Sequence, residues 1–328
     1  NIFFLSGVAD FFKTLIFLFK NLRSLNKIIS PLKLSFLLKF FFVIELHMQL
    51  LKAVSLTKFV KAQTKINLIG ADYDRGYESS LFFAVAKALK IKNFVLQHGA
   101  INPPIGYYPV NSSEIWVWGE MAKKQLIELG VSSKKIFITG TPIINNIKFS
   151  DSERLKITKK YDLKLGVNIV LALSSPDKPR DIEQVKFFSE LKKSNPNLRD
   201  NFIVKIHPSR NYDDYKWIEE KFNITILPAN IALKDFMNIV DILLTHSSSL
   251  ANEAIYYSKK VGILDILDLK PMNGMELHKY LKVPLIKASS NIKDLYNIEK
   301  KDSGKLLFYE VGDKAKIEIQ KRIQNHKY

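Results

Sequence analysis

Short apolar segments alternate with longer helical segments from residue 65 to residue 149. Each predicted strand is a brief apolar run, and the stretches between strands have apolar residues at helical spacing. The predicted strands are Ile66–Gly70, Phe94–Gln97, Glu114–Trp118 and Lys135–Thr139, and the predicted helices are Tyr77–Leu89 and Met121–Leu129. Alternation of this kind implies a parallel sheet with right-handed crossovers.

A second alternating series begins after a polar segment, Ser150–Lys164, which we interpret as the interdomain region. Five strands are predicted, at Asn168–Leu173, Phe202–Ile206, Ile224–Leu227, Ile242–Leu244 and Val261–Leu264. The helices predicted between them are Ile182–Lys192, Asp213–Lys221, Asp235–Val240 and Leu250–Tyr257. The order is Rossmann-like, and the length of 328 residues suits two domains. We expect an acceptor-side domain at 1–149, a nucleotide-donor domain at 150–310 and a C-terminal helix within 311–328 that crosses back to the first domain.

Residues 1–64 have mainly helical character, whereas a full Rossmann domain carries two or three strands in this position. The first residue is Asn1, so we expect a processed chain or a fragment with an N-terminally incomplete first domain. Lysines interrupt the apolar runs, which argues against a spanning helix, and we expect no signal peptide. Two interpretations stay open: helices packed on a domain core, or an amphipathic face resting on an anionic membrane.

Composition limits the classes of function. The apolar fraction is 47% and the charged fraction 25%, which is typical of a globular protein. Without any Cys, disulfides, Cys-based zinc sites and thiol catalysis are excluded, and a cytoplasmic location fits. Lys and Arg number 50 against 32 Asp and Glu, a net charge of +18 that favours anionic partners. The lysines are spread along the chain without a nucleic-acid motif, so nucleic acid is not the expected partner.

Candidate catalytic residues follow the first two strands, because ligands of parallel sheets bind beyond the carboxyl ends of the strands. Asp72 and Asp74 lie in the loop after Ile66–Gly70, and a carboxylate there suits a general base. The alternative is a loop that caps the next helix. His98 follows the second strand and is the other candidate for a base or a phosphate ligand. The base is left open among Asp72, Asp74, Glu78 and His98.

Candidate donor-binding residues follow later strands. Gly140 and Thr141 form a turn at the domain boundary, where a hinge is the preferred interpretation and donor contact the alternative. Further along, residues with cationic, hydroxyl or carboxylate groups suit phosphate and ribose. They are Lys205, His207, Ser247, Ser248, Ser249 and Glu253, and Pro208 is expected to fix the turn that points His207 into the cleft. No metal-ligand cluster is recognised.

Three segments resemble known bacterial enzymes. The run from Gln97 to Pro142 looks like capsule and surface-carbohydrate transferases, which are related to the glycerophosphotransferases of teichoic acid synthesis. KIHPSR at 205–210 and THSSSLANEA at 245–254 look like the His-Pro and Ser-rich motifs of bacterial sialyltransferases and related Kdo and capsule enzymes. The resemblance implies that His207 and Ser247–Ser249 bind the donor nucleotide and its phosphate. Asp72–Gly76 departs from the acidic-acidic-Gly motif of the family, since Arg75 separates Asp74 from Gly76.

The resulting expectation is a GT-B-like α/β protein with two Rossmann-like domains facing a cleft. The predicted function is a metal- and cofactor-independent glycosyltransferase or glycerophosphotransferase with a nucleotide-sugar or CDP-glycerol-type donor. The acceptor would be a glycan or lipid-linked glycan of a bacterial surface polysaccharide, at the inner face of the cytoplasmic membrane. Two alternatives stay open: a sugar-nucleotide 2-epimerase on the same fold, and a non-catalytic binding protein.

Overall fold

The computed structural model describes residues 8–32, 35–63, 65–73, 76–101, 107–173, 178–195, 197, 199–266 and 272–326. Contacts divide the chain into two compact units. The first consists of residues 1–96, 109–115 and 321–328, and the second of residues 97–108 and 116–320. The predicted domain boundary at residue 149 stays a prediction, since the two contact units are not divided at that residue.

The first unit begins with three helices, in agreement with the helical character predicted for residues 1–64. They are α1 (Val8–Lys20), α2 (Leu22–Ile29) and α3 (Phe36–Ala62). Ser35 caps α3, since its Oγ accepts a hydrogen bond from the backbone N–H of Leu38. None of the helices in the described ranges is both long enough and apolar enough to cross a membrane.

Helices α1 and α3 are joined by polar contacts along their shared face. Lys58 in α3 forms an ion pair with the largely buried Asp10 in α1. Thr14 Oγ1 lies 2.7 Å from Nε2 of His47, which is also buried. Because Asp10 meets residue 58 and Thr14 meets residue 47, the two helices run antiparallel. The C-terminal end of α1 therefore lies toward the N-terminal end of α3.

The first sheet contains four strands in the order β1-β2-β3-β4. They are β1 (Leu68–Ala71), β2 (Lys92–Leu96), β3 (Glu114–Val117) and β4 (Ile136–Ile138), with α4 (Tyr77–Ala88) and α5 (Glu120–Glu128) between them. Strands β1 and β2 are parallel. The division into units passes through β3, so this sheet belongs partly to each unit. The predicted alternation of strands and helices is confirmed here.

The second sheet is fully parallel and has six strands, one more than predicted. They are β5 (Asn168–Ala172), β6 (Asn201–Lys205), β7 (Thr225–Leu227), β8 (Ile242–Thr245), β9 (Lys260–Asp265) and β10 (Leu285–Lys287). Their order is β10-β9-β8-β5-β6-β7, which is the Rossmann order. The chain reverses direction across the sheet between β5 and β8, and this is its topological switch point.

Both faces of the second sheet are buried, which explains why its strands are almost continuously apolar. Alternate residues of β5 enter different clusters. Val170 packs on one face with Phe236, whereas Leu171 packs on the other with Phe188. The missed strand β10 has only three residues, Leu-Ile-Lys, and its single fully buried side chain is that of Ile286.

Eight helices of the described chain accompany or follow this sheet. They are α6 (Asp151–Lys160), α7 (Lys178–Lys193), α8 (Trp217–Phe222), α9 (Leu233–Ile239), α10 (Leu250–Tyr256), α11 (Met272–Leu281), α12 (Ile292–Tyr296) and α13 (Gly312–Gln324). Helix α6 corrects the interpretation of Ser150–Lys164 as a plain interdomain segment. Ser150 caps it by accepting a hydrogen bond from Glu153 N, and only two of its residues, Ile157 and Thr158, are buried. So few buried positions leave almost no apolar periodicity to recognise.

Candidate functional site

The loop after β1 holds the first candidate bases. Asp72 is exposed at the end of the strand, and Glu78 is exposed in the first turn of α4. Asp74 lies outside the described residues. Gly76 takes the N-cap position of α4 and offers no side-chain cap. The loop therefore presents Asp72 and Glu78 to solvent, while the identity of the base stays a prediction.

His98 follows β2 and is held by an aromatic neighbour. Its Nδ1 lies 3.1 Å from Tyr107 Oη, and the two rings stack with their centroids 5.6 Å apart. The same hydroxyl accepts hydrogen bonds from the backbone N–H groups of His98 and Gly99. The imidazole is exposed but fixed in orientation, as a base or phosphate ligand requires.

Gln97 fixes this loop through hydrogen bonds of its side chain. It was not among the predicted site residues. It is buried, and its Oε1 accepts a hydrogen bond of 2.8 Å from Trp118 N while its Nε2 donates to Gly99 O. Among the described residues, no atom lies within 4 Å of a Cβ added to Gly99, and the φ of Gly99 is not positive. The described part of the fold therefore does not need glycine at this position. Residues 102–106, which follow in this loop, lie outside the described residues.

Gly140 and Thr141 lie in a tightly packed turn. Gly140 has φ of +78°, and a Cβ there would approach Glu310 O to 2.1 Å. Thr141 is fully buried and pairs with Val311 through backbone hydrogen bonds to its neighbours Glu310 and Gly312. These contacts give both residues a structural role in this conformation. Donor contact by either one stays a prediction.

The end of β6 carries two of the predicted phosphate ligands. Lys205 is buried, and burial lowers the pKa of its ammonium group, with the charge of Glu253 opposing that change. His207 Nδ1 accepts a hydrogen bond from the backbone N–H of Ser209. A neutral His207 ring must then carry its proton on Nε2, which becomes a donor for an anion. Burial, together with Lys205 and Arg210, lowers the pKa of His207. Pro208, next in the chain, is exposed.

Arg210 completes this cationic group. Its Nε and Nη2 atoms are shielded from solvent and have no hydrogen-bond partner among the described residues. Its charge acts on His207 and on Tyr215. Shielded N–H donors without a partner cost free energy unless an acceptor joins them. Sequence reasoning missed Arg210 as a site residue, although it is the last residue of the quoted KIHPSR segment.

The serine-rich loop connects β8 to α10. Thr245 is fully buried, donates to Ala172 O in the adjacent strand β5, and accepts from Ser248 N. Ser249 takes the N-cap position of α10 without a side-chain cap, and Ser248 Oγ accepts a hydrogen bond from Leu250 N in the first turn. These contacts place Ser247, Ser248 and Ser249, all partly exposed, directly beside the topological switch point.

Glu253 lies in α10, one turn beyond Ser249. Burial raises the pKa of its carboxyl group to about 7, and the charge of Lys205 opposes the rise. Within the described part of the chain this carboxyl group makes no hydrogen bond or ion pair. The structure thus brings Lys205 and His207, from the end of β6, together with Glu253, from the helix after β8.

The comparisons with known proteins concern structure alone, since no protein-family model matches the chain and no curated protein matches its sequence. UDP-GlcNAc 2-epimerase from Neisseria meningitidis bound to UDP-GlcNAc is similar, with a TM-score of 0.54 and 17% identity over 85% of this chain and 81% of that one. The enzyme from Methanocaldococcus jannaschii in complex with UDP-GlcNAc and UDP has a TM-score of 0.54 and 18% identity over 85% and 82%. The UDP-N-acetylglucosamine 2-epimerase from Rickettsia bellii has a TM-score of 0.53 and 18% identity over 84% of this chain and 76% of that one.

The chain has the GT-B fold. Identities this low show the fold alone, and they agree with the predicted pair of Rossmann-like sheets. The described residues contain no group of three or more His, Asp or Glu side chains suited to a metal ion. The chemistry of the site is therefore inferred from the side chains of this chain. The most completely assembled set is the cationic and serine-rich one at the carboxyl ends of β6 and β8.

Proposed function

We propose that this protein is an enzyme that acts on a nucleotide sugar and binds its diphosphate at the carboxyl ends of β6 and β8. One observation carries the proposal. Two nitrogen atoms of Arg210, Nε and Nη2, are shielded from solvent and have no hydrogen-bond partner among the described residues. Their charge acts on His207 beyond the carboxyl end of β6, and ligands of Rossmann folds bind at the carboxyl ends of the strands. An anion bound there would accept hydrogen bonds from these two donors.

The rest of the nucleotide would use the loop before α10 and the helix itself. Hydroxyl groups of Ser247 and Ser249 are suited to phosphate oxygens, while Ser248 Oγ already accepts a hydrogen bond from Leu250 N. Glu253 is suited to accept hydrogen bonds from ribose hydroxyl groups. Its carboxyl group has a pKa of about 7, so contact with hydroxyl donors would stabilise the ionised form.

The reaction that we favour is transfer of the sugar to a glycan, as in the capsule and surface-polysaccharide transferases that the His-Pro and Ser-rich segments resemble. Asp72, Asp74 and His98 are the candidates for the base that takes the proton of the acceptor hydroxyl. No described residue lies within 4 Å of a Cβ added to Gly99, which supports the approach of a ligand beside His98. No cofactor or metal is needed in this scheme, and the nucleotide-activated donor enters as a substrate.

A sugar-nucleotide 2-epimerase is the second candidate, because three of the similar structures are UDP-GlcNAc 2-epimerases. An epimerase converts a nucleotide sugar without an acceptor. Incubation with UDP-GlcNAc alone separates the two: proton exchange at C2 and a new epimer indicate an epimerase, and slow release of UDP with no epimer indicates a transferase.

The experiment for the nucleotide site is thermal unfolding with UDP, CMP, CDP and GDP and their sugar or glycerol conjugates. A ligand of the folded state raises the melting temperature by mass action. We expect a selective rise, with UDP as the first candidate and a CDP response pointing to glycerol. The rise should be lost in His207→Ala and Arg210→Met. No response to any nucleotide, in a protein that unfolds cooperatively, would overturn the proposal and favour the non-catalytic alternative.

We further propose that the acceptor is lipid-linked and that the first unit binds an anionic bilayer at the inner face of the cytoplasmic membrane. Large apolar side chains are exposed where α1 ends and α3 begins, with Phe19 at 63% and Leu37 at 61% exposed. Phe17, Phe40 and Phe41 are also exposed there. Apolar residues on every side of a helix are unfavourable in water. We call these five residues the apolar tip.

Charge indicates which partner the apolar tip would meet. The antiparallel pairing of α1 with α3 puts the tip at the end where α2 connects the two helices. Lys20, Arg23 and Lys27 are exposed in this connection, so cations flank the apolar surface. Aromatic side chains with basic neighbours suit an interface with anionic lipid headgroups. The proposal does not require a spanning helix.

A further inference from the structure

A pocket lies at the amino ends of β8 and β9, the end of the six-stranded sheet opposite the proposed nucleotide site. Its volume is about 610 Å³, and its lining includes Phe149, Asp241, Tyr256, Lys259 and Lys300. Asp241 immediately precedes β8, and Lys259 immediately precedes β9. Since ligands of Rossmann folds bind at the carboxyl ends, this pocket is separate from the proposed nucleotide site.

The walls of the pocket are fixed by hydrogen bonds and aromatic packing. Tyr256 Oη donates to Asn146 Oδ1 over 3.0 Å, and Tyr257 Oη donates to Asn145 O over 2.6 Å. The Phe149 ring meets the Tyr257 ring edge to face at 5.6 Å. Both tyrosines thus hold the segment that forms the facing wall, so the pocket is shaped before any ligand binds.

The acidic residue and the two lysines of the pocket differ in whether their charged groups have partners. Arg154 binds Asp241 through both guanidinium ends, at 2.7 and 2.6 Å, and Asn168 N donates to the same carboxylate. That carboxylate is therefore already satisfied. Lys259 and Lys300 make no side-chain hydrogen bond or ion pair within the described part of the chain. Lys259 Nζ instead lies 4.6 Å from the centre of the Phe149 ring.

Burial changes the pKa of Lys259. It lowers the pKa of the ammonium group to about 8, and the neighbouring cations Arg154 and Lys300 act in the same direction while Asp241 opposes them. A bound anion would restore the charge that the pocket disfavours.

We propose that this pocket binds a small organic anion, with a phosphate or carboxylate group between Lys259 and Lys300 and a ring against Phe149 and Tyr256. Two lysines without anionic partners supply the charge. The aromatic wall supplies a flat apolar surface for a ring. The volume suits a compound the size of a sugar phosphate or a mononucleotide. Such a site goes beyond the proposed nucleotide sugar chemistry and does not depend on it.

Pyridoxal 5′-phosphate is a suitable probe, because it combines a ring, a phosphate and an aldehyde. The neutral Nζ of Lys259 attacks the aldehyde carbon, a C=N bond forms and the aldehyde oxygen leaves as water. Borohydride then reduces C=N to a stable C–N bond, and peptide mass spectrometry locates the label. Near pH 7.5, Lys259 should be labelled several-fold more than the exposed lysines, since more of it is uncharged.

Two variants and two competitors test the site on the full chain. Lys300→Met should reduce labelling of Lys259 several-fold, inorganic phosphate should compete, and Lys259→Arg should abolish the label there while leaving thermal stabilisation by UDP unchanged. Lys205 is an internal control, because UDP should protect Lys205 and leave Lys259 labelled. Labelling spread evenly over the lysines would overturn the proposal, as would labelling of Lys259 that is unaffected by phosphate and by Lys300→Met.

Discussion

Lys205 and Glu253 interact electrostatically at the carboxyl ends of the second sheet, although no ion pair joins them. Each charge favours the ionised form of the other, yet burial outweighs this attraction in both residues. The pKa of Glu253 is raised to about 7 and that of Lys205 is lowered. Two partly uncompensated groups of opposite sign thus lie at one end of the sheet, which is expected of a site that a polar ligand completes.

The free energy of unfolding should fall as pH rises from about 4.5 to about 7, because the pKa of Glu253 is raised in the folded state. A carboxyl group whose pKa is higher in the folded state stabilises the fold below its unfolded pKa, and this contribution is lost as pH rises through the folded value near 7. Glu253→Gln has no such charge. Its free energy of unfolding at pH 8 should exceed that of the wild type by at most about 3 kcal/mol, with little difference at pH 4.5. Urea unfolding at both pH values measures the difference.

The matched control for this prediction is Glu190→Gln, in which an exposed carboxylate is replaced. That variant should follow the wild type at both pH values within about 0.5 kcal/mol, as surface substitutions usually do. If Glu253→Gln and the wild type show the same pH dependence, then the carboxyl group of Glu253 titrates as it would in water.

Arg210 should contribute to ligand binding and not to stability. Replacing the guanidinium, whose Nε and Nη2 have no partner among the described residues, by the apolar chain of Met should keep or raise the free energy of unfolding. The same variant should lose the rise in melting temperature with UDP. Arg199→Met is the control, since Arg199 is exposed in the same unit. A loss of several kcal/mol in Arg210→Met without ligand would assign Arg210 a structural role.

The sequence predicts most of the fold for two reasons. The strands of the second sheet are buried on both faces and are therefore almost continuously apolar, and the segments between them have apolar residues at helical spacing. Sequence patterns fail where burial is sparse: α6 has two buried residues, and β10 has three residues in all. The same limit applies to the site. His207 and Ser248 follow predicted strands, so the sequence suggests them as candidates, whereas the case for Arg210 depends on the burial of its nitrogen atoms, which a sequence does not display. The helix predicted within 311–328 is α13, and its Arg322 binds Glu114 of β3 within the first unit.

Gly99 and Gly140 should respond in opposite ways to alanine. In Gly140→Ala the new Cβ would collide with Glu310 O at 2.1 Å, and φ of +78° adds backbone strain, so we expect a loss of about 2–4 kcal/mol. Gly99→Ala meets no atom of the described residues within 4 Å and should keep its stability within about 1 kcal/mol. Thermal and urea unfolding of both variants measure this. A Gly99→Ala protein that is stable but has lost activity would indicate that a ligand approaches the backbone beside His98.

Membrane binding should depend on the apolar tip and on the cations beside it. Replacing Phe17 and Phe41 by Ser should reduce partitioning into vesicles of phosphatidylcholine and phosphatidylglycerol by roughly a hundredfold, since two inserted aromatic side chains contribute on the order of 2–3 kcal/mol. Leu165→Ser, at an exposed position of the second unit, should not reduce it. Vesicles without phosphatidylglycerol should bind less protein, and the difference should shrink when Lys20, Arg23 and Lys27 become Gln. Equal co-sedimentation of the double Phe variant and the wild type would exclude the tip as the membrane contact, and the exposed aromatic surface would then need a protein partner.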